Sequence, residues 1–323
     1  MFLGIEGIKK SYGHHCVVNT VSFTVNKGEL VSIIGPSGAG KTTLLKILAG
    51  LETADSGVVT STADLQNNPA ILVFQDYLLF PTMTIFDNIA FGLKCRKIGR
   101  DETTARVGEM LDYFQLSGKA DYYPGQLSAG QQQRVALARA MVVSPSILLL
   151  DEPFANLDRN LKAETAEFIR DFQQEYQITT LSVTHDLQEA FMMSDKIGIM
   201  LDGMLCQFDD VKTVYNRPVS SQVAEFLGHV NIIPSHCFTS IGLDKTEVAG
   251  GASISVRAEA IELSRSGDRR GIIEEVVFAG QFIMYRVRLE DIILTVYSFN
   301  PEFSKGECVS VKVKQYIYIR ENA

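Results

Sequence analysis

Residues Gly35-Pro36-Ser37-Gly38-Ala39-Gly40-Lys41-Thr42, continued by Thr43, fit the pattern G-x-x-x-x-G-K-[ST] in full. Each residue type has a chemical reason to be there. Glycines let successive backbone N–H groups curl around phosphate oxygens with no Cβ in the way. The start of a following helix adds partial positive charge at the same point. Lys41 can reach β- and γ-phosphates, and the Thr42 hydroxyl can hold Mg²⁺. A second stretch, Ile147-Leu148-Leu149-Leu150-Asp151-Glu152, is an apolar run ending in two carboxylates. At the end of a buried strand, Asp151 would hold Mg²⁺ directly or through water, and Glu152 would polarise an attacking water as a general base. Standing alone, Asp151-Glu152-Pro153 would serve equally well as a helix start. Beside a phosphate loop in the same chain, the catalytic reading prevails.

The elements that must carry these residues are legible in outline. Residues 30–34, 71–74, 147–150 and 179–183 are short apolar runs with β-branched members, bounded by turn or polar residues. Buried parallel strands look like this, and helical stretches between them, such as 41–49 after the loop, imply a sheet covered on both faces. The pattern changes near Asn231-Ile232-Ile233-Pro234. Beyond it, 253–256, 272–278, 282–289, 292–297 and 309–319 are alternating runs separated by turns such as Lys305-Gly306-Glu307. The expected fold is an α/β domain over 1–230, with a helical subdomain, followed by a small all-β barrel over 231–323.

Composition narrows the function. The chain has 323 residues, 46% hydrophobic and 21% charged, which suits an ordinary globular protein with a well-buried core. A formal net charge of −8 argues against wrapping nucleic acid or an anionic lipid surface, both of which need clustered Lys and Arg. No apolar stretch is long enough for a membrane-spanning helix, and residues 1–10 lack a signal-peptide pattern, so the expected location is cytosolic. The 5 cysteines are scattered with no C-x-x-C pair, which fits neither a disulfide framework nor a zinc site. His14-His15-Cys16 reads as a surface turn, because three adjacent side chains do not converge on one ion.

Leu127-Ser128-Ala129-Gly130-Gln131, followed by Gln132-Gln133-Arg134, resembles the L-S-G-G-Q signature of the ABC-transporter ATPases, with Ala129 replacing the first glycine. It falls shortly before the Asp151-Glu152 strand, as that family requires. The other markers follow in order: Gln75 resembles the Q-loop residue, Asn156-Leu157-Asp158 the D-loop, His185 the switch histidine, and Tyr12 the aromatic that stacks on adenine. The likeness is strong over 1–230 and looser beyond. It implies that two such chains face each other head to tail and sandwich ATP between the phosphate loop of one and the signature of the other. Ser128, Gly130, Gln131 and Asp158 would then contact nucleotide across the interface. Lys41, Gln75, Glu152 and His185 would carry catalysis, with Thr42, Gln75 and Asp151 around Mg²⁺. The resemblance further implies that ATP closes the pair and its hydrolysis opens it. The apolar segment Phe80-Pro81-Thr82-Met83-Thr84-Ile85 is either a helical core patch or a docking groove for membrane subunits, and the groove is the preferred reading.

Val256-Arg257-Ala258-Glu259-Ala260-Ile261 resembles the V-R-P-E-x-I stretch of a transport-associated OB domain found in importer ATPases, with Ala258 in place of proline. This implies an importer ATPase at the cytoplasmic side of the membrane. Two permease subunits and an extracytoplasmic solute-binding protein would be its partners. The short barrel points to a small ion or polyamine as ligand. Other ABC-type ATPases fit less well. Chromosome and repair proteins insert a long coiled coil, and translation factors carry two cassettes, whereas a small-molecule kinase needs no signature. A non-transport ATPase acting as a regulatory switch stays open as the alternative.

Overall fold

A computed structural model describes residues 1–65, 68–155, 157, 159–243, 253–267, 270–300 and 302–319. The chain divides into two compact units, Met1–Val214 and Tyr215–Ala323.

In the first unit, β1 (Leu3–Tyr12), β2 (His15–Val25) and β4 (Ser56–Ser61) form an antiparallel sheet in the order β2-β1-β4. The turn between β1 and β2 holds Gly13, at φ 60, and the exposed His14. The larger sheet contains β3 (Leu30–Ile34), β5 (Ala70–Val73), β6 (Ile147–Asp151), β7 (Thr179–Thr184), β8 (Lys196–Leu201) and β9 (Met204–Asp210), in the order β5-β6-β7-β3-β8-β9. Only β9 runs antiparallel to its neighbour. Every residue of β3, β6 and β7 is buried, which is why their sequences are near-continuous apolar or small runs rather than alternating ones. The helices are α1 (Lys41–Leu48), α2 (Ile85–Cys95), α3 (Arg100–Tyr113), α4 (Ala129–Met141), α5 (Arg159–Tyr176) and α6 (Leu187–Met193). One core packs α2, α3, α4 and α5 around Phe114, Phe154 and Phe172, and a second packs α1 between the two sheets around Ile5, Leu44 and Leu149. Among the described residues no helix is long and apolar enough to cross a membrane.

The second unit is all-β beyond short helical turns. Strands β10 (Val230–Ile233), β11 (Ser253–Arg257) and β17 (Ile317–Ile319) form one antiparallel sheet. Strands β12 (Ile261–Ser264), β13 (Arg270–Phe278), β14 (Ile283–Leu289), β15 (Ile292–Ser298) and β16 (Cys308–Val313) form another, in the order β12-β16-β13-β14-β15. The run expected as one strand over 309–319 is two, because the chain changes sheets at Lys314, whose N–H donates to Ala260 O. The division between units falls at Tyr215, earlier than the change in hydropathy near 231. Polar ties explain the difference. The Arg257 guanidinium donates to Tyr215 O at 3.0 Å and Ala224 O at 3.2 Å and lies 4.2 Å from the centroid of the Tyr215 ring. Such ties leave no hydropathy pattern.

Candidate active site

Strand register assembles the site. Ile34 pairs with Thr184, Asp151 with Val183, and Val73 with Leu150. The residues that follow these strands, Gly35, Glu152, His185 and Gln75, therefore emerge along one edge of the sheet, at the carboxyl ends of its parallel strands. Ligands of open α/β sheets bind at such an edge.

The loop from Gly35 to Gly40 needs its glycines for two reasons. Gly38 and Gly40 have φ of 84° and 93°, a region that L side chains rarely adopt. A Cβ at Gly35 would stand 2.1 Å from Met200 O, and one at Gly40 would stand 2.2 Å from Val17 O. Gly40 caps α1, so the first free N–H groups of that helix face the loop.

Lys41 is 6% exposed, and its Nζ donates to Gly35 O at 2.7 Å and Pro36 O at 3.0 Å. Glu152 Oε1 is 3.9 Å away. Burial pulls the Lys41 ammonium below its ordinary range, opposed by the charges of Glu152 and Asp151. Thr42 Oγ1 donates to Asp151 Oδ1 at 2.9 Å. Burial raises the Asp151 carboxyl, the Thr42 bond lowers it, and the neighbouring Glu152 charge adds to the rise. Glu152 itself is left-handed at φ 47, held by its N–H to Val183 O at 2.9 Å. A non-glycine residue in that region costs about 1–3 kcal/mol and concentrates at functional positions. Glu152 Oε2 lies 2.6 Å from His185 Nδ1.

A cleft of about 370 Å³ is lined by Val17, the loop residues Ser37 to Thr43, Gln75, Glu152 and His185. The structure thus gathers most of the expected residues in one chain. Asp151 backs the cleft through Thr42, and the carbonyls of Gly35 and Pro36 hold Lys41. Ser128, Gly130, Gln131 and Tyr12 are not among the lining residues. Ser128 starts α4 with a capping box: Gln131 N–H donates to Ser128 Oγ at 3.4 Å, and Ser128 N–H donates to Gln131 Oε1 at 3.1 Å. Gly130 is buried against Leu161. Tyr12, 49% exposed at the end of β1, donates its hydroxyl to Glu52 Oε2. Asp158 lies outside the described residues. In the segment after Gln75, Ile85 and Ile89 join the core while Leu78 and Phe91 are exposed, so it serves partly as core and partly as surface.

Sequence reading missed several residues that hold the site. The Gln133 amide on α4 donates to Pro153 O at 2.8 Å, beside Glu152. Arg139, near the other end of α4, donates to Tyr77 O and Leu78 O, just past Gln75. Glu189 on α6 and Lys162 on α5 flank the His185 turn. Each looks like an ordinary polar helix residue until its partner is known. Val17 lines the cleft from β2 and carries no sequence signal at all.

The donor set suits a polyphosphate and a hard cation. The loop is glycine-rich and left-handed at Gly38 and Gly40, a buried cation stands at its base, and a hydroxyl and a carboxylate meet beside it.

Comparison with known proteins agrees. Residues 18–155 match the family described as ABC transporter. The Fe(3+) ions import ATP-binding protein FbpC of Escherichia coli O157:H7 is 35% identical over 98% of this chain and 96% of its own length. The sulfate/thiosulfate import ATP-binding protein CysA of Synechococcus elongatus is 39% identical over 89% of this chain and 86% of its own. The dimeric ATP-binding cassette MJ0796, in a post-hydrolysis state bound to ADP and Pi, superposes with a TM-score of 0.58 at 30% identity, over 65% of this chain and 98% of that one. The chain belongs to the ABC transporter family, as one of its ATPases.

Proposed function

We propose that this ATPase energises an importer from the cytoplasmic side of the membrane, working as a head-to-tail pair of identical chains. The observation that carries the reading is the convergence of Lys41, Thr42, Gln75, Glu152 and His185 on one cleft. The loop N–H groups and Lys41 bind the β- and γ-phosphates. Lys41 now donates to loop carbonyls, and phosphate oxygens are the better acceptors for a buried ammonium. Thr42, Asp151 and Gln75 would hold Mg²⁺, which would neutralise phosphate charge. Glu152 takes a proton from the attacking water as the water oxygen bonds to the γ-phosphorus. The bond from that phosphorus to the β–γ bridging oxygen breaks, leaving ADP and phosphate. His185 holds the γ-phosphate and the water beside Glu152.

Ser128, Gly130 and Gln131 lie on a capped helix start away from the chain's own cleft, an arrangement that suits contact with the partner's nucleotide, with Asp158 at the same interface. Tyr12 stacks on adenine. The exposed Leu78 and Phe91 belong to the surface that meets two permease subunits, and a solute-binding protein delivers the ligand outside. The relatives named for Fe(3+) and sulfate support a small ion as cargo, with polyamine as the neighbouring class. The all-β unit from about residue 231 is read as an OB-like regulatory barrel.

The test is affinity isolation of the chain from native membranes in mild detergent, with partners identified by mass spectrometry. Integral membrane subunits should copurify and stimulate ATP hydrolysis. An active ATPase in an intact complex with soluble partners only would replace transport by a cytosolic switch.

A further inference from the structure

Glu189 is a carboxylate with 6% exposure in a unit where buried acids are few, and nothing in the hydrolytic chemistry above uses it. A buried charge persists only when it is paired and hydrogen-bonded. Its two oxygens have separate partners. Oε2 accepts from the Thr184 hydroxyl at 2.8 Å, and Oε1 accepts from Lys162 Nζ at 2.9 Å. Lys162 also reaches Asp186 Oδ2 at 3.5 Å. Thr184 Oγ1 in turn accepts from Asp186 N–H at 3.0 Å, while Asp186 Oδ1 caps α6 by accepting from Gln188 N–H at 2.9 Å.

Thr184 and Asp186 are the residues on either side of His185. Both are tied to one Lys–Glu pair, whereas the His185 side chain is 55% exposed and touches Glu152 through Nδ1. Packing does not aim that imidazole; the backbone at 184–186 does. Lys162 comes from α5, which begins at Arg159, directly after the segment that resembles the D-loop. The pair therefore joins the helix behind the dimer-facing segment to the turn that carries the histidine.

We propose that Lys162 and Glu189 are positioning residues for ATP hydrolysis: through Thr184 and Asp186 they fix the turn that aims His185 at Glu152, and they pass displacement of α5 to that imidazole. This rests on the reading of His185 as the residue that holds the γ-phosphate and the attacking water. Glu189 is not itself catalytic, since it touches neither the cleft nor the reacting atoms.

The experiment compares full-length wild type with Glu189→Gln, Thr184→Val, Lys162→Met, Lys162→Arg and His185→Ala. It measures steady-state ATP hydrolysis, ATP affinity by calorimetry and folded fraction by circular dichroism. Glu189→Gln and Thr184→Val should lower kcat by roughly 10–100-fold, the scale of a small misplacement of a reacting group, while ATP affinity stays within about twofold of wild type. Lys162→Arg keeps the ion pair and should restore most of the rate lost in Lys162→Met. A purely structural role predicts losses in proportion to the unfolded fraction, with unchanged turnover per folded molecule. That outcome overturns the proposal, as does wild-type kcat in both Glu189→Gln and Thr184→Val. A His185→Ala chain that keeps full turnover removes the reading of His185 and this inference with it. An inactive His185→Ala beside fully active Glu189→Gln and Thr184→Val removes this inference alone.

Discussion

The hydroxyl of Thr42 donates to Oδ1 of Asp151 at 2.9 Å, although the two residues stand 109 positions apart. Thr42 lies in the first turn of α1 and Asp151 closes β6, and β3, which leads into α1, is separated from β6 in the sheet by β7. Two hard oxygen donors from distant segments are thus held at one point. Burial raises the Asp151 carboxyl, with the Thr42 bond opposing it. A bound divalent cation would reverse that burial cost, because it stabilises the ionised form.

Asp151→Asn should therefore alter metal use more than folding. The amide keeps the shape and can still accept from Thr42, so stability should stay within about 1 kcal/mol. The Mg²⁺ concentration for half-maximal hydrolysis should rise by about tenfold or more, since a carboxylate ligand is replaced by a neutral one. A magnesium titration of turnover beside a urea unfolding curve checks both halves.

Glu152→Gln should separate binding from chemistry. Glutamine keeps the size and the left-handed backbone at φ 47 but accepts no proton from water. Hydrolysis should fall by roughly 10²–10⁴-fold, the usual range for loss of a general base. ATP affinity should be kept, because Lys41 and the loop remain. Near-normal turnover would reassign the base.

Arg139 should matter for stability through the loop beyond Gln75. Tyr77 and Leu78 are consecutive non-glycine residues at φ 58 and 43, and the Arg139 guanidinium donates to both of their carbonyls, at 2.7 Å and 2.8 Å. Left-handed residues cost about 1–2 kcal/mol each unless the surroundings hold them. Arg139→Ala removes two charged hydrogen bonds and should cost about 2–4 kcal/mol in urea unfolding. Arg139→Lys should recover only part, because an ammonium lacks the fork that spans two carbonyls.

The phosphate loop was legible because it is a local pattern with one physical reading, and the Asp151-Glu152 pair, which alone would serve equally well as a helix start, was legible only beside that loop. The strand runs at 30–34 and 147–150 matched β3 and β6 for the same cause: burial on both faces leaves no room for polar residues. Partnerships across the fold were not legible. Lys162 and Glu189 are 27 positions apart on two helices, and nothing in either segment announces the other. Sheet order was equally hidden, since β3 sits between β7 and β8 and only long-range pairing says so. The placement of Tyr215 with the second unit depends on Arg257, a residue that the resemblance marked without saying what it holds.

Glycine substitutions should rank by what their Cβ meets. Gly40→Ala puts a methyl 2.2 Å from a backbone oxygen at φ 93, so it should cost roughly 2–4 kcal/mol. Gly130→Ala meets only the end of the Leu161 side chain at 2.9 Å, which can rotate, so its cost should stay near about 1 kcal/mol. Denaturant midpoints of the two variants give the comparison, and equal losses would contradict the geometry.

Asp195 should supply acid-sensitive stability. Burial works against its ionised form. The Arg170 guanidinium, at 2.6 Å and 3.0 Å, and the Leu30 N–H, at 2.8 Å, more than offset that and hold the carboxyl below its ordinary value of 3.8. A carboxylate with a depressed folded value stabilises the fold above the unfolded value, and that contribution is lost as pH falls through the folded one. The pair joins α5 to the start of β3, so its loss loosens the helix that carries Lys162. Asp195→Asn should therefore lower Tm at pH 7, and the gap to wild type should close as the pH falls below the ordinary aspartate value of 3.8 and through the lower folded one. A gap that stays constant across that range would mean that the ion pair contributes nothing to folding.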